Sequence, residues 1–404
     1  MSVEARANDN VRGMPVGRSA VPASLEDAAA IVGEAASRDE TVAFRGGGTS
    51  LELGYPPERV DVLVSTERLT RVVDYAPADL VLEVEAGLTL AALQQTAGAN
   101  KQRLALEVPY PELATLGGIV ATNAFGPRRV RYGSLRDLIV GVSLVRADGS
   151  RARGGGKVVK NVAGFDLPKI MVGSLGTLAM IATVTLRLHP LPTAAAGFRV
   201  EGCTRDDLRA LERAIVAAQL EPSAFLAERC AGGYRAHVLF EGFDAGVAEQ
   251  SERFAALAVQ LGRRAESEAQ TLLATLDETV RTHGNVRVRF SVPPSSLSLL
   301  ESEALAPLAQ ALADAKVLTY PSLGVAFVSG FADDARAAIL ALEAARRCAE
   351  RCTGNVVIVD APHAVTERVD VYGTLPASFA LMRRLKERFD PARRLNRGRF
   401  LGGL

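Results

Sequence analysis

The sequence lacks the motifs of several well-known binding sites. No GxGxxG occurs, which excludes a Rossmann dinucleotide site, and Gly156-Lys157 is followed by Val158, which excludes a Walker phosphate loop. The four cysteines form no CxxC pair and no close group, so we expect neither an iron–sulfur cluster nor a structural zinc site. If the chemistry of this protein requires electron transfer through an iron–sulfur cluster, another chain must supply the cluster.

The sequence also has almost no net charge and no long apolar segment. The formal net charge is +1 over 404 residues, whereas nucleic-acid-binding proteins normally carry a strong basic excess, so we expect no nucleic-acid partner. The N-terminus shows no secretory signal, and the longest uncharged stretch, residues 170–186, is short and contains glycine, serine and threonine. We therefore expect no transmembrane segment, and a cytoplasmic protein or one that partners hold at the inner membrane.

Apolar periodicity predicts a mixture of helices and strands. Ser24 and Asp27 resemble a capping box at the start of a helix, and residues 41–45 are predicted as a strand that runs into three glycines. Near residue 197 the pattern changes to longer alanine-rich helices between strands, which suits an antiparallel sheet with helices on one face. Residues 378–389 are predicted to form a helix.

The segment Arg45-Gly46-Gly47-Gly48-Thr49-Ser50 is suited to binding a phosphate group. Glycines permit positive φ and bring successive amides close to an anion, and the two hydroxyl groups add donors. A flexible turn would explain the three glycines about equally well, so this alternative stays open.

Two further glycine-centred segments follow in the same region. One runs from residue 115 to residue 126 and carries Thr122 and Asn123 after a glycine pair; the other is Gly173-Ser174-Leu175-Gly176-Thr177. Each is an ordinary loop when taken alone. Together the three segments favour a backbone that is held close to one extended ligand.

The order of these segments resembles the vanillyl-alcohol-oxidase type of FAD-binding fold. The match runs through RGGGTS at 45–50, EAG at 85–87, ATLGGIVATNAFGPRRVRYGSLRDLIVG at 114–141 and GGGKVVKNVAGFDLPKIMVGSLGTLAMIATVTLRLHPLP at 154–192, with a weaker echo in FDPARRLNRGRF at 389–400. Within this group the chain is most similar to the FAD-binding E subunits of bacterial glycolate oxidases. The resemblance is specific over residues 40–192 and thin across the middle of the chain.

This resemblance implies an α+β fold of three parts. Residues 1–195 would form a two-part FAD-binding domain of the PCMH type, built from two α/β subdomains. Residues 196–374 would form a cap domain with an antiparallel sheet and helices. Residues 375–404 would return to the FAD-binding domain.

The resemblance also implies where FAD binds. Residues 46–50 would surround the pyrophosphate, and Leu116, Gly117, Gly118, Thr122 and Asn123 would line the flavin and its linker. Gly176, Thr177 and Ile181 would meet the adenine end or pack nearby, and the tail with Asn396 would fold back toward the isoalloxazine ring. Thr49 stands where covalently flavinylated relatives often carry histidine, so FAD should be bound non-covalently. The implied cofactor-binding residues are Arg45, Gly46, Gly47, Gly48, Thr49, Ser50, Leu116, Gly117, Gly118, Thr122, Asn123, Gly176, Thr177, Ile181 and Asn396.

Oxidation of a small 2-hydroxy acid requires a base for the hydroxyl proton and a cation for the carboxylate. His363 is the candidate base or substrate ligand, with a surface-turn histidine as the alternative. Arg289, in RVRFSVPP at 287–294, is the candidate clamp; a solvated strand arginine is about as probable, because 41 of the 47 basic residues are arginine. No HxH occurs, unlike in the hydroxy-acid dehydrogenases of the group, and no metal site is expected.

Two further groups of basic residues flank the expected cofactor region. Arg128, Arg129, Arg131 and Arg136 could attract an anionic substrate or partner, and a solvated loop face explains them at least as well. Lys157 and Lys160 are interpreted as surface lysines.

The sequence therefore predicts an FAD-dependent subunit that oxidises glycolate or a related 2-hydroxy acid. It would pass electrons to a partner chain. The expected partners are a homologous flavoprotein subunit and an iron–sulfur subunit of the same complex. The alternative is a non-catalytic subunit that holds FAD as a scaffold within such a complex. A cell-wall-precursor reductase of the same fold is a third and less favoured interpretation.

Overall fold

The computed structural model describes residues 3–4, 10–156 and 166–404. The chain divides into two compact units. The first contains Met1–Phe125, Gly133–Leu191 and Thr374–Leu404, and the second contains Gly126–Tyr132 and Pro192–Gly373. Among the described residues, no helix has the length and apolar content needed to cross a bilayer.

The first unit contains a small, mostly parallel sheet covered by a helix. In spatial order its described strands are Val3–Glu4, Arg18–Ala20, Val62–Ser65 and Val42–Arg45. The helix Leu25–Ser37 packs its buried face against this sheet, since its apolar residues recur every three or four positions. Ser24 accepts a hydrogen bond from the Asp27 amide at 3.0 Å, which confirms the predicted helix start.

Among its described residues, the first unit also contains a five-stranded antiparallel sheet and two short strand pairs. The strands of the sheet in spatial order are Arg151–Gly155, Ile139–Val145, Met180–Arg187, Val81–Glu85 and Val72–Ala76. The short pairs are Asn10–Val11 with Met14–Pro15, and Gln102–Arg103 with His189–Pro190. The other helices are Leu90–Gly98, Leu116–Thr122, Leu135–Leu138, Leu167–Met171 and Phe379–Phe389, with 3-10 turns at Pro77–Asp79 and Leu401–Gly403. The last α-helix confirms the prediction for residues 378–389.

The second unit is built on one antiparallel sheet of eight described strands, as the sequence pattern predicts. In spatial order they are Ala265–Glu268, Ala194–Cys203, Gly233–Gly242, Ala224–Cys230, Ala313–Tyr320, Val325–Phe331, Val286–Ser291 and Asn355–Asp360. In Val286–Ser291 every second residue is buried, so one sheet face packs into an apolar core. Four of these strands were not predicted, because alanine and charged residues obscure their alternation: Ala194–Cys203, Ala224–Cys230, Ala265–Glu268 and Ala313–Tyr320.

Helices of the second unit cover the two apolar clusters of this sheet. Each buried valine, leucine or phenylalanine side chain in these clusters contributes about 1.5–3 kcal/mol of transfer free energy. The α-helices are Arg129–Tyr132, Arg205–Ala217, Asp244–Gln260, Leu272–Thr282, Leu297–Leu300, Ala306–Gln310, Ala335–Arg351 and His363–Thr366; Glu301–Leu305 is a π-helical turn, and Pro294–Ser296 and Pro321–Leu323 are 3-10 turns.

Candidate functional site

The loop that follows the strand Val42–Arg45 presents its backbone to solvent. Gly47 and Gly48 are exposed, and Gly48 has a φ of +78°, in the left-handed region that favours glycine. The amides of Gly47, Gly48 and Thr49 donate no hydrogen bond to the backbone of another described residue. Since amides normally find a partner, this loop is suited to binding an anion.

The loop lies directly against the segment that precedes the helix Leu116–Thr122. A Cβ atom on Gly46 would lie 2.0 Å from Thr115 Oγ1, and one on Gly47 would lie 1.7 Å from the carbonyl oxygen of Leu113. Any larger residue would force the two segments apart. The first and second glycine-centred segments of the sequence therefore meet in the folded unit.

Polar groups mark both ends of that helix. Thr115 Oγ1 accepts from the Gly118 amide at 3.4 Å, and the Thr122 hydroxyl donates to the Gly118 carbonyl at 2.8 Å. Asn123 ends the helix with a φ of +51°, and its Oδ1 is buried without a hydrogen-bond partner among the described residues. The Thr122 hydroxyl is thus engaged within the helix, whereas Asn123 keeps an acceptor.

Three of the expected cofactor residues lie in tightly packed surroundings. Leu116 and Ile181 are 0% and 6% exposed, so their side chains belong to the core of the unit. The Gly117 amide donates to the Ala86 carbonyl at 2.8 Å. These positions shape the backbone around a ligand rather than offering it a polar side chain.

The turn 173–177 joins the end of the same helix to the C-terminal segment. The amides of Gly173 and Leu175 donate to carbonyl groups in the last helical turn, at 2.9 and 2.8 Å. On the other side, Asn396 Nδ2 donates to the Leu175 carbonyl at 2.6 Å. Gly176 has a φ of +68°, and a Cβ there would lie 2.6 Å from Asn396 Nδ2. All three predicted segments and the tail are therefore contiguous.

Three side-chain oxygens of this region are buried without a hydrogen-bond partner among the described residues: Asn123 Oδ1, Ser174 Oγ and Asn396 Oδ1. Leaving one such atom unsatisfied costs about 1–3 kcal/mol. A ligand that carries N–H or O–H donors would remove this cost. Together with the exposed loop amides, these atoms fit a ligand that combines a pyrophosphate with polar donors, as FAD does.

Part of the motif GGGKVVKNVAGFDLPKIMVGS, including Lys157 and Lys160, lies outside the described residues. Of the arginine cluster, Arg128 pairs with Glu241 through two hydrogen bonds of 2.9 and 2.8 Å, and Arg131 Nη2 lies 2.7 Å from the Glu221 carboxylate. Both pairs lie within the second unit, where they anchor the segment Gly126–Tyr132 to its sheet.

In the second unit, Arg289 lies opposite Phe327 of the neighbouring strand. Burial, together with repulsion from Arg281 and Arg129, lowers the pKa of Arg289 to about 10. The guanidinium is still charged at neutral pH. A bound carboxylate would offset both the desolvation and the repulsion.

A buried ionic group next to this position was not predicted from the sequence. Asp277 pairs with Arg281 at 2.9 Å, the Tyr320 hydroxyl donates to Asp277, and Arg281 lies over the Phe327 ring with 4.9 Å between Cζ and the ring centroid. The i,i+4 spacing of Asp277 and Arg281 is visible in the sequence. Their burial depends on tertiary packing and is not.

The predicted base His363 begins a short helix of the second unit. Its side chain is 80% exposed, and Nε2 lies 3.0 Å from the Glu367 carboxylate. His283 Nε2 lies 2.7 Å from the Asp314 carbonyl oxygen.

The remaining two histidines are buried or partly buried. His237 is held between Glu268 at 2.9 Å and Glu228 at 3.4 Å, and burial lowers the pKa of His189. The described residues contain no group of three histidine, cysteine, aspartate or glutamate side chains placed to hold a metal ion.

Residues 18–155 match the model of a protein family described as the FAD binding domain. Among curated proteins, the chain is 38% identical over 171 residues to D-lactate dehydrogenase of Archaeoglobus fulgidus, covering 42% of this chain and 38% of that protein. It is 35% identical over 171 residues to glycolate oxidase subunit GlcE of Escherichia coli, covering 42% of this chain and 48% of GlcE. D-2-hydroxyglutarate dehydrogenase of Xanthomonas citri is 34% identical over 175 residues, which cover 43% of this chain and 37% of that protein. The matches span less than half of each relative's length.

Two solved structures share the fold over nearly the whole chain. Alkyldihydroxyacetonephosphate synthase has a TM-score of 0.74 at 18% identity, covering 94% of this chain and 76% of that chain. Substrate-bound p-cresol methylhydroxylase has a TM-score of 0.75 at 14% identity, and the match covers 96% of this chain and 89% of that chain. The predicted α+β fold of vanillyl-alcohol-oxidase type is confirmed, and the family match confirms FAD as the cofactor.

Proposed function

We propose that this chain is an FAD-dependent oxidoreductase subunit that oxidises glycolate or a related small 2-hydroxy acid and passes electrons to partner chains. The observation that carries the proposal is the meeting, within one unit, of the exposed loop amides with the three unsatisfied buried oxygens. The names of the relatives D-lactate dehydrogenase, GlcE and D-2-hydroxyglutarate dehydrogenase support the substrate class. The name of GlcE, a glycolate oxidase subunit, supports an assembly of several chains. We propose a homologous flavoprotein and an iron–sulfur chain as the partners.

In this proposal the amides of residues 46–50 bind the pyrophosphate, because a left-handed glycine directs neighbouring N–H groups to one side of the loop. Thr49 and Ser50 add hydroxyl donors. Asn123 and Asn396 accept hydrogen bonds from donor groups of the cofactor through their buried oxygens. None of these contacts is covalent, since Thr49 offers no ring nitrogen.

When bound, FAD would supply the acceptor for the hydride that leaves C2 of the hydroxy acid, and this hydride carries both electrons of the oxidation. The chain's own task is to position the substrate and accept the hydroxyl proton. We assign the carboxylate to Arg289, whose planar guanidinium suits two parallel hydrogen bonds. We assign the proton to His363, because an imidazole nitrogen is a common proton acceptor in catalysis.

The second candidate function is a non-catalytic FAD-holding scaffold within the same kind of complex. The specific observation that favours it is the exposure of His363, because catalytic bases usually act in water-excluded surroundings. The other three histidines are held by local contacts or partly buried.

Anaerobic mixing distinguishes the two candidates. The purified chain, loaded with FAD, is mixed with glycolate or D-lactate while absorbance near the flavin maximum is recorded. Bleaching by the isolated chain supports the catalytic function. Bleaching only after addition of a homologous flavoprotein subunit supports the scaffold, and an FAD-free chain that refuses added FAD contradicts both.

A further inference from the structure

The C-terminal end of the first unit contains a buried ion pair that the proposed chemistry does not use. Lys386 is 1% exposed and Asp390 is 0% exposed, although lysine and aspartate rarely lie fully inside a protein. Lys386 Nζ lies 2.6 Å from Asp390 Oδ2, one helical turn away. Burying both charges is costly unless each is fully hydrogen-bonded.

The remaining donors of Lys386 connect two distant parts of the chain. Nζ donates to the Thr177 carbonyl at 2.8 Å and to the Leu395 carbonyl at 3.0 Å. Asp390 in turn accepts from the amides of Leu395 and Arg394, at 2.8 and 3.0 Å. All three Lys386 protons are therefore used, and two of them join the end of the turn 173–177 to the residue before Asn396.

Asn396 directly follows Leu395, whose carbonyl group accepts a hydrogen bond from Lys386. Its φ of +43° places it in the left-handed region, which is uncommon for non-glycine residues although asparagine tolerates it better than most. Its amide donates to the Val42 carbonyl at 2.8 Å, and Nδ2 donates to the Leu175 carbonyl at 2.6 Å, which leaves Oδ1 as the buried acceptor. The strand leading to the glycine loop, the turn 173–177 and the tail thus meet at one residue, Asn396.

We propose that Lys386 is a positioning residue for the cofactor: its ammonium ties Thr177 to Leu395 and so holds the Asn396 acceptor and the turn 173–177 in the arrangement that receives FAD. The inference rests on the proposed placement of FAD at these segments. Lys386 itself touches no ligand in this proposal. Its effect on FAD affinity comes through the two carbonyl groups that it fixes.

The first test compares FAD affinity and thermal stability in full-length variants. Lys386→Met removes the ammonium and should raise the dissociation constant of FAD at least tenfold, measured by the recovery of free-FAD fluorescence. The matched control is Arg383→Met, which breaks an exposed i,i+4 pair with Glu387 on the same helix and should leave FAD affinity within twofold.

A double variant separates positioning from simple stabilisation. Lys386→Met combined with Asp390→Leu replaces the ion pair by apolar side chains, a change that often restores stability. If Lys386 positions the site, the double variant still binds FAD at least tenfold more weakly although its Tm returns toward the wild-type value. Recovery of FAD affinity together with Tm would overturn the inference and leave only a structural role.

Wild-type protein provides a test that needs no variant to fold. FAD-stripped and FAD-loaded chains are compared by amide hydrogen exchange. The inference expects FAD to slow exchange in peptides covering both 174–177 and 394–396. Protection of the glycine loop alone, with unchanged exchange in the tail, would contradict the inference while leaving FAD binding intact. A chain that binds no FAD would instead contradict the proposed function.

Discussion

The carboxylate of Asp277 holds the guanidinium of Arg281 at 2.9 Å, while the hydroxyl of Tyr320 donates to the same carboxylate from a strand of the sheet. Asp277 and Tyr320 are 2% and 1% exposed. Burial raises the pKa of Asp277, and the charge of Arg281 opposes this shift. Asp277, Arg281 and Tyr320 therefore hold the helix Leu272–Thr282 on the sheet. This contact lies next to Arg289, which we propose binds the substrate carboxylate.

Replacing Asp277 by asparagine should destabilise the second unit by about 3–5 kcal/mol, because it leaves a buried guanidinium without its counter-charge. Urea unfolding followed by circular dichroism measures the change. Glu249→Gln is the control, since Glu249 pairs with Arg253 on an exposed helix face at 3.3 Å and its loss should cost less than about 1 kcal/mol. Equal losses in the two variants would contradict this view of Asp277.

Much of the first unit could be predicted from the sequence, because its local signals agree with the final packing. The capping residue Ser24 and the glycine-rich loop at 46–48 each produce the structure that their local chemistry predicts. The residues that complete the site are distant in sequence, and no local pattern connects them. Lys386 and Thr177 lie 209 positions apart, and only tertiary packing shows that one donates to the other.

Gly47→Ala should weaken FAD binding more than tenfold, equivalent to about 1.4 kcal/mol or more. The new Cβ would lie 1.7 Å from the Leu113 carbonyl oxygen, which neither segment can accommodate without a backbone shift. Fluorescence titration of the stripped protein with FAD measures the effect. Gly98→Ala is the matched control, because a Cβ there meets nothing within 4 Å; unchanged FAD affinity in both variants would exclude a role for the tight approach.

The stability contributed by His237 should decrease as pH rises. Burial alone would lower the pKa of His237, but hydrogen bonds to Glu228 and Glu268 outweigh it and raise the pKa above the usual value of 6.5. A raised folded-state pKa gives stabilisation that is complete below about pH 6.5 and is lost as pH rises through the folded value. The difference in unfolding free energy between wild type and His237→Gln should therefore be larger at pH 6 than at pH 9. If this difference grew with pH, folding would lower the pKa of His237, which contradicts the raised pKa expected here.

His363→Gln tests the assigned proton acceptor. If His363 accepts the hydroxyl proton, kcat for a 2-hydroxy acid should fall by about 10²–10⁴ while FAD content stays constant. Glu367→Gln removes only the neighbour at 3.0 Å and should change kcat far less. A wild-type kcat in the His363→Gln variant would show that another group of this chain, or a partner chain, accepts the hydroxyl proton.

Arg289→Gln should raise KM for a 2-hydroxy acid by about 10–100-fold, corresponding to about 1.4–2.8 kcal/mol of lost carboxylate binding. FAD content should not change, because Arg289 is assigned to the substrate carboxylate and not to the cofactor. Arg287→Gln is the control on the same strand, since Arg287 pairs with Asp360 and its charge is already balanced. Arg289→Lys separates charge from shape: a lysine keeps the charge and loses the planar pair of donors, so KM should recover only in part. A rise in KM that is the same for Arg287→Gln and Arg289→Gln would show that the general positive potential of the strand, and not a clamp at Arg289, binds the carboxylate.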